Sequence, residues 1–150
     1  MKFSLIYFYP STEYETLEIE SEKPLNAYTK LYNILRDVIE IKRSMFFDRD
    51  IRFDATDNSF FIRCEARKVF GVFSIFLEFI ISGSIPKEGK SKVNIKYRIK
   101  LSYEEEKSGI EEFLLFLYFH IFIKRQFEEN KKLVKKIADE IKQKLISVLS

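Results

Sequence analysis

The sequence predicts an α+β fold in which a curved antiparallel sheet packs on a long carboxy-terminal helix, with one shorter amino-terminal helix. Two observations carry this prediction. Between residues 50 and 101, apolar side chains recur at every second position, the period of strands that bury one face. After Gly109 neither Gly nor Pro occurs, and the apolar period becomes that of a helix.

Length and composition bound the class of protein. A chain of 150 residues has the length of one domain, so we expect a single domain over 1–150. Hydrophobic residues make up 46% and aromatic residues 16%, which suffices for a sizeable core. One Cys and one His exclude a disulfide framework and the usual Cys/His zinc sites. The sequence therefore predicts no metal site, no cofactor and no catalytic set.

Charge and hydropathy give further expectations about partners. The net charge of +3 is mild, so no nucleic-acid partner is expected. The longest apolar run, residues 113–123, is too short for a spanning helix, which needs roughly 20 residues. We therefore expect no transmembrane segment and a cytoplasmic protein. Abundant Lys and scarce Gln and Gly favour the composition of a thermophile.

The amino-terminal third is predicted to form two strands and a helix. Residues 2–9 are rich in aromatic and β-branched side chains, which favour a strand, and Pro10 interrupts them. Alternating residues over 14–19 predict a second strand. Pro24 suits a first helical position, and apolar residues at helical spacing extend this helix over 24–42.

The middle of the chain is predicted to contain four strands, the first two joined as a hairpin by the turn signal Asp57-Asn58. They are expected at 51–56, 60–67, 69–82 and 92–101. Additional short strands at 44–49 or within 83–90 remain an open alternative.

The carboxy-terminal region is predicted to be a helix of about 40 residues, or about 60 Å at 1.5 Å per residue. Ser108 followed by Glu111 is a capping box that would begin it. Because this length exceeds a domain of this size, we expect a kink or break near Lys124-Arg125. The inward-facing stripe is expected at Phe113, Phe116, His120, Ile123, Phe127, Asn130, Val134, Ile137, Ile141, Leu145 and Val148.

This order of elements resembles the helix-grip fold, and two segments resemble the START-related, polyketide-cyclase-like superfamily. Residues 14–38 (YETLEIESEKPLNAYTKLYNILRDV) are similar to its opening, where a strand runs through a polar, Pro-containing turn into a helix. Residues 110–141 (IEEFLLFLYFHIFIKRQFEENKKLVKKIADEI) are similar to its closing helix. The strand at 2–9 lies outside the common core of that family, and four strands between 44 and 103 are fewer than its usual six.

The resemblance implies binding of a hydrophobic small molecule or lipid between sheet and final helix, with no catalysis implied. His120 would supply the polar contact to the ligand. The residues expected to line the cavity are Phe60, Ile62, Phe73, Ile75, Leu77, Phe79, Tyr97, Ile99, Phe116, His120 and Ile123.

Two other functions remain open. The chain can be an interaction or scaffolding domain with a filled core, working through the strand at 2–9 or through residues 113–123, which are apolar around most of the helix. A homodimer is one form of this hypothesis. The chain can also be a cyclase- or hydrolase-like enzyme that uses His120, Glu78 or Tyr97 in a pocket.

Four single residues have both a functional and a structural interpretation. His120 and Asn130 fall on the inward stripe and would contact a ligand, although backbone-bonded or solvated residues are commoner there. Glu78, within an apolar strand, would be a site residue if buried, but it shares its face with Ser74 and is expected to face solvent. Cys64 is expected to be a small core residue.

Two charged runs are also weighed. Cationic residues line one face of the predicted strand 92–101, where they could contact phosphates. No aromatic residue of that strand is interleaved with them on the same face, so base stacking is not supported. These residues are Lys92, Lys96, Arg98 and Lys100. The acidic run of residues 104–106 is expected to precede the long helix, where negative charge is favourable.

Overall fold

A computed structural model describes residues 2–11, 13–106 and 109–150, so the predicted capping residue Ser108 lies outside the described residues. The predicted α+β class is confirmed: a six-stranded antiparallel sheet packs on a long carboxy-terminal helix. The elements are strands β1 (Lys2–Tyr9) and β2 (Glu15–Ser21), helices α1 (Asn26–Thr29) and α2 (Leu31–Ile39), a 3-10 turn (Arg43–Met45), strands β3 (Phe46–Asp54), β4 (Ser59–Phe70), β5 (Phe73–Ser84) and β6 (Ser91–Glu106), helix α3 (Ile110–Tyr118), a π-helical turn (Phe119–Ile123) and helix α4 (Lys124–Leu149).

The sheet is antiparallel throughout, in the order β1-β6-β5-β4-β3, and β2 also pairs with β6. Strand β6 is long enough for its second half to pair with β1 and its first half with β2. The alternative of a strand at 44–49 is resolved because β3 begins at Phe46 and continues through the predicted hairpin strand. A bulge between Asp48 and Asp50 interrupts the β3–β4 register, and such bulges increase the local twist.

One face of this sheet carries the core, as the period-two pattern predicts. Strand β5 alternates buried and half-buried residues from Phe73 to Ile81, and the buried ones face the helices. Helix α4 packs on that face, and α2 packs on α4. The side-chain amide of Asn26 donates a hydrogen bond to the carbonyl of Val148 at 3.1 Å, which joins α1 to the end of α4.

The amino-terminal helix is shorter than predicted. Helix α2 ends at Ile39 rather than near residue 42, because Glu40 adopts the left-handed conformation (φ 54°). The amide of Glu40 still donates to the carbonyl of Arg36 at 3.0 Å, which closes the last turn. The chain then turns so that Ile41 is 3% exposed and contributes to the core.

The carboxy-terminal helix contains the predicted irregularity. A π-helical turn, Phe119–Ile123, ends immediately before Lys124, close to the expected break. A π turn inserts extra backbone into the helix, so residues before it are rotated relative to an uninterrupted α-helix. Inward positions therefore recur at four-residue steps in this region, at Leu115, Phe119 and Ile123.

This rotation makes the predicted inward stripe wrong before Ile123. Phe113, Phe116 and His120 lie on the exposed side of the helix, and Phe116 is 42% exposed. From Ile123 onward the prediction holds, with Phe127, Val134, Ile137, Ile141 and Leu145 buried, whereas Asn130 and Val148 are half-buried.

The acidic run also differs from its expected place. Strand β6 continues through residues 104–106 instead of ending at 101, and these residues pair with β1. The run therefore precedes α3, as expected, but it forms the end of a strand rather than part of the helix start. The cause is β1, which supplies hydrogen-bond partners that extend the strand.

Candidate functional site

Most residues predicted to line a cavity belong to the packed core between the sheet and α4. Nine of the eleven are at most 5% exposed. Their aromatic rings contact one another: the Phe79 and Tyr97 centroids lie 6.1 Å apart, and the Phe73 ring stacks on that of Phe127 at 6.4 Å. These nine are Phe60, Ile62, Phe73, Ile75, Leu77, Phe79, Tyr97, Ile99 and Ile123.

The other two predicted residues lie outside this core. Phe116 and His120 contact each other edge to face on the exposed side of the helix, with centroids 4.4 Å apart. The prediction that His120 points at the inner face of the sheet is therefore wrong. Leu115 and Phe119 take the inward positions that sequence reasoning missed. Their four-residue spacing to Ile123 and Phe127 was the signal that could have found them.

The three enzyme candidates are not brought together. His120 lies on the exposed side of the π-helical turn, Glu78 lies on the outer sheet face, and Tyr97 lies in the core. Burial, with Glu15 and Tyr9 nearby, raises the pKa of the Tyr97 hydroxyl, which therefore stays protonated. Burial likewise raises the pKa of the Cys64 thiol to about 12, and the prediction that Cys64 is a core residue is confirmed.

A large apolar surface surrounds the outer side of α3 and the π-helical turn. Its eight large side chains are between 41% and 80% exposed. We call this region the apolar helix surface, and it comprises Ile110, Phe113, Leu114, Phe116, Leu117, Tyr118, Ile121 and Phe122. In the sequence, the segment 113–123 was singled out as apolar around most of its circumference, and the structure leaves most of that circumference uncovered.

A narrow inward side holds this helix to the sheet. Phe119 is 7% exposed, and its ring contacts Phe3 of β1 at 5.0 Å and Tyr103 of β6 at 5.9 Å. Leu115 and Ile123 continue this inward side one turn before and after Phe119. The apolar helix surface is therefore presented by an anchored helix rather than by a free tail.

Charges of opposite sign mark the two ends of the apolar helix surface. Glu111 and Glu112 lie in the first turn of α3. Lys124 and Arg125 begin α4, directly after the π-helical turn, and both are exposed. The Lys124 ammonium lies 5.5 Å from the Phe119 ring centroid, so the cation stays close to the apolar segment.

A cleft opens between the end of α2 and the middle of α4. We call it the α2–α4 cleft; its volume is about 390 Å³. Apolar side chains form its floor, among them Ile75 from the predicted cavity, and charged side chains form its rim. The lining residues are Asp37, Val38, Ile39, Glu40, Lys68, Phe70, Ile75, Leu133, Lys136, Ile137 and Glu140.

The outer sheet face carries the predicted cationic row. Lys92 and Lys96 are exposed, whereas Arg98 and Lys100 are half-buried. Glu78 also lies on this face, as predicted, and its carboxylate accepts a short hydrogen bond from the Tyr14 hydroxyl. This contact raises the pKa of Tyr14.

Two further findings concern metals and membranes. Across residues 2–11, 13–106 and 109–150, the His, Cys, Asp and Glu side chains form no group of three that could hold a metal ion. Among the helices of these residues, none combines the length and hydropathy required to cross a bilayer.

Comparison with known proteins does not assign a family. No family model matches the sequence, and no curated protein matches it. The structure is similar to that of the Staphylococcus aureus protein of unknown function SA2116, with 12% identity, a TM-score of 0.31, and 91% of this chain and 95% of that chain covered. A putative uncharacterized protein from Rhizobium leguminosarum matches with 7% identity, a TM-score of 0.32 and coverages of 99% and 97%. Ara h 8.0201 matches with 8% identity, a TM-score of 0.27 and coverages of 95% and 99%.

Proposed function

We propose that this chain is an interaction domain that self-associates through its apolar helix surface. One observation carries the proposal: large apolar residues at all eight positions are 41–80% exposed. At roughly 200 Å² per side chain, they expose on the order of 800 Å². The largest apolar patch on a typical monomer is about 300–600 Å², so this surface resembles a site that a partner covers.

The exposed area suits a second copy of the chain. A standard interface buries about 800 Å² on each partner. Most oligomers of identical chains are two-fold symmetric, so the same patch serves both subunits. Ile110, Phe113, Leu117 and Ile121 recur at steps of three and four residues, opposite the inward side. This spacing produces a stripe that a second helix can cover.

The charges at the ends of the helix favour an antiparallel pair. A two-fold axis near Leu117 would bring Glu111 of one copy next to Lys124 of the other, and the reverse. A parallel pair would instead bring like charges together at each end. The antiparallel arrangement therefore complements both the apolar stripe and the flanking charges.

The proposal is tested by sedimentation velocity of the purified chain at micromolar concentrations. The parent chain is expected to sediment as a dimer. Ile121→Asp is expected to sediment as a folded monomer because it places a charge inside the interface. The matched control is Ile51→Asp on edge strand β3, since Ile51 is 56% exposed and Ile121 is 59% exposed.

The control variant is expected to remain dimeric. A parent chain that is monomeric at all concentrations would overturn the proposal. The same holds if this monomer binds lipid vesicles through the apolar helix surface. Loss of the dimer in Ile51→Asp, but not in Ile121→Asp, would instead assign the contact to the exposed edge of β3. Circular dichroism of each variant verifies that the fold is retained.

A second candidate function, binding of a hydrophobic small molecule or lipid, is favoured by the α2–α4 cleft. Its volume of about 390 Å³ falls within the range of ligand sites, about 300–1,000 Å³. Ile75 and Ile137 are buried at its floor, and the ammonium of Lys68 lies at its rim, 3.3 Å from the Glu40 carbonyl. A fatty acid would place its chain on this floor and its carboxylate near Lys68. We propose membership of the START-related superfamily only together with this second function.

A fluorescent fatty acid tests the second function. The titration uses the parent chain, in which the proposed dimer covers the apolar helix surface. Leu133→Trp is expected to block the cleft and abolish binding, whereas Lys135→Trp, on the exposed side of α4, is the control. Equal binding by both variants, or none by the parent, would contradict it.

A further inference from the structure

A row of alternating aromatic and cationic side chains crosses the outer face of the sheet. Phe8 on β1 and Phe76 on β5 are both Cα partners of Lys100 on β6, and Arg67 on β4 is the partner of Phe76. Neighbouring strands are about 4.8 Å apart, so the Cα atoms of the two Phe residues lie about 10 Å apart. Lys100 therefore sits between two rings, with Arg67 beside the second.

A trough lies directly beside this row. The next residues along β5 and β6, Ser74 and Ser102, are Cα partners of each other and have short side chains. The longer side chains around them rise as walls, and the resulting trough has a volume of about 560 Å³. Its lining residues are Phe8, Arg67, Val72, Ser74, Phe76, Lys100, Ser102 and Glu104. This volume is of the size that takes a small molecule.

A neighbouring arginine holds the first ring in place. The guanidinium of Arg98 lies 3.9 Å from the centroid of Phe8, and one of its terminal nitrogens donates to the carbonyl of Ser11 at 3.3 Å. Arg98 precedes Lys100 by one step on this face, on the side away from Ser102. The Phe8 ring is therefore supported from outside the trough, which reduces the cost of ordering it around a ligand.

We propose that this trough binds a planar aromatic ring that carries a phosphate group, as a nucleotide does. The ring stacks on Phe76 and Phe8, since aromatic faces stack on any base. The phosphate contacts the Lys100 ammonium and the Arg67 guanidinium, whose planar fork matches phosphate oxygens. The hydroxyls of Ser74 and Ser102 lie at the floor, where they can donate to ligand oxygens.

The charge distribution favours one nucleotide over a long strand. Glu78 and Glu104 flank the cationic and aromatic row on opposite sides: Glu78 is the next outward residue after Phe76 on β5, and Glu104 lies beyond Ser102 on β6. Carboxylates on both sides oppose a continuous phosphate backbone that runs along the strands, and the net charge of the chain is only +3. This site lies on the opposite face of the sheet from the core and needs neither the dimer nor the α2–α4 cleft.

The test is a fluorescence-anisotropy titration with AMP labelled by an N-methylanthraniloyl group. Phe76→Leu keeps an apolar side chain but removes the ring, and we expect at least about fivefold weaker binding. Lys100→Glu is expected to weaken binding at least as much because it reverses the charge at the phosphate. The controls are Phe61→Leu and Lys92→Glu, which make the same changes elsewhere on the outer face and are expected to bind like the parent.

Competition experiments distinguish a free nucleotide from inorganic phosphate and from a nucleic-acid strand. Unlabelled AMP is expected to displace the probe at much lower concentration than inorganic phosphate, because phosphate lacks the ring. A short single-stranded oligonucleotide that competes no better per nucleotide than AMP assigns the site to free nucleotides; stronger competition assigns it to a strand. Absence of binding up to millimolar AMP, equal competition by phosphate, or equal losses in the control variants would overturn the proposal.

Discussion

The rings of Phe3 and Phe119 lie 5.0 Å apart, centroid to centroid, at the point where strand β1 meets the π-helical turn. Phe119 also contacts Tyr103 on β6, so it joins the helix to two neighbouring strands. Only three residues earlier, Phe116 is 42% exposed, compared with 7% for Phe119. The inward side of the helix is therefore set by Phe119.

Substitution of these two phenylalanines tests the register of the helix. Phe119→Ala is expected to lower the free energy of unfolding by about 3 kcal/mol, as truncation of a buried Phe does. Phe116→Ala is expected to cost less than about 1 kcal/mol because Phe116 lies on the solvent side of the helix and is already 42% exposed. Urea unfolding measures both, in the Ile121→Asp background so that a dimer contact adds nothing. The reverse order would indicate an uninterrupted α-helix.

Charge reversal tests the antiparallel pairing. Glu111→Lys and Lys124→Glu are each expected to weaken the dimer about tenfold, because each places like charges side by side across the interface. The double variant restores opposite charges and is expected to recover most of the parental affinity. Sedimentation equilibrium provides the dissociation constants. A double variant weaker than either single variant would exclude contact between these two positions.

Stability is expected to fall at alkaline pH, because burial raises the pKa of Cys64 from its ordinary 9.0 to about 12. The folded state then holds the proton more tightly than the unfolded state. The stabilisation is full below about pH 9 and is lost as the pH rises from there toward 12. We expect the Cys64 contribution to fall by about 1 kcal/mol between about pH 8 and pH 10.

Cys64→Ala measures this contribution directly. Removal of the thiol changes the free energy of unfolding at every pH. The decrease in that free energy between about pH 8 and pH 10 should, however, be smaller in the variant than in the parent. Tyr28, whose pKa burial and its hydrogen bond to Asp48 raise to about 12, remains in both proteins. Identical pH slopes for parent and variant would show that the thiol is not responsible.

Gly83 is expected to tolerate no side chain. A Cβ at this position would lie 2.8 Å from the backbone carbonyl oxygen of Lys92 and 3.2 Å from the ring of Phe60. Because the backbone of β6 cannot yield without loss of pairing, Gly83→Ala is expected to destabilise the fold by about 1–3 kcal/mol. Ser84→Ala, at the next position, is the control and is expected to be nearly neutral. Thermal unfolding of both compares them.

Alternation along a strand is a local property, so the sequence alone was sufficient to predict which side chains share a face of the sheet. Side chains at every second position share a face whatever the strand pairs with. That period predicted which side chains of β6 and β4 face the core, and the prediction is confirmed. The residues concerned are Ile95, Tyr97 and Ile99 on β6 and Cys64 on β4. The α+β order of elements was predicted from the same local periods, whereas the irregularity before Lys124 was predicted from the length of the helix relative to the size of the domain.

The sequence did not determine which side of the helix at residues 113–123 faces the sheet. Residues 113–123 are apolar on nearly every side, so spacing alone permits more than one inward stripe. The stripe through Phe116 and His120 assumed regular helical geometry, and the π-helical turn rotated it by about one residue. Contacts of Phe119 with Phe3 and Tyr103, which are distant in the chain, select the register that is formed.

The outer sheet face likewise depends on contacts between residues that are distant in the chain. On the cationic face of β6 no aromatic residue alternates with Lys and Arg, so the sequence of this strand did not support base stacking. Strand pairing brings Phe8 and Phe76 to either side of Lys100 from 92 residues before it and 24 residues before it. Sequence by itself determined which residues share a face of each strand, because that depends on the backbone period. Only the tertiary structure decided which strands lie side by side, because that depends on hydrogen bonds between distant residues.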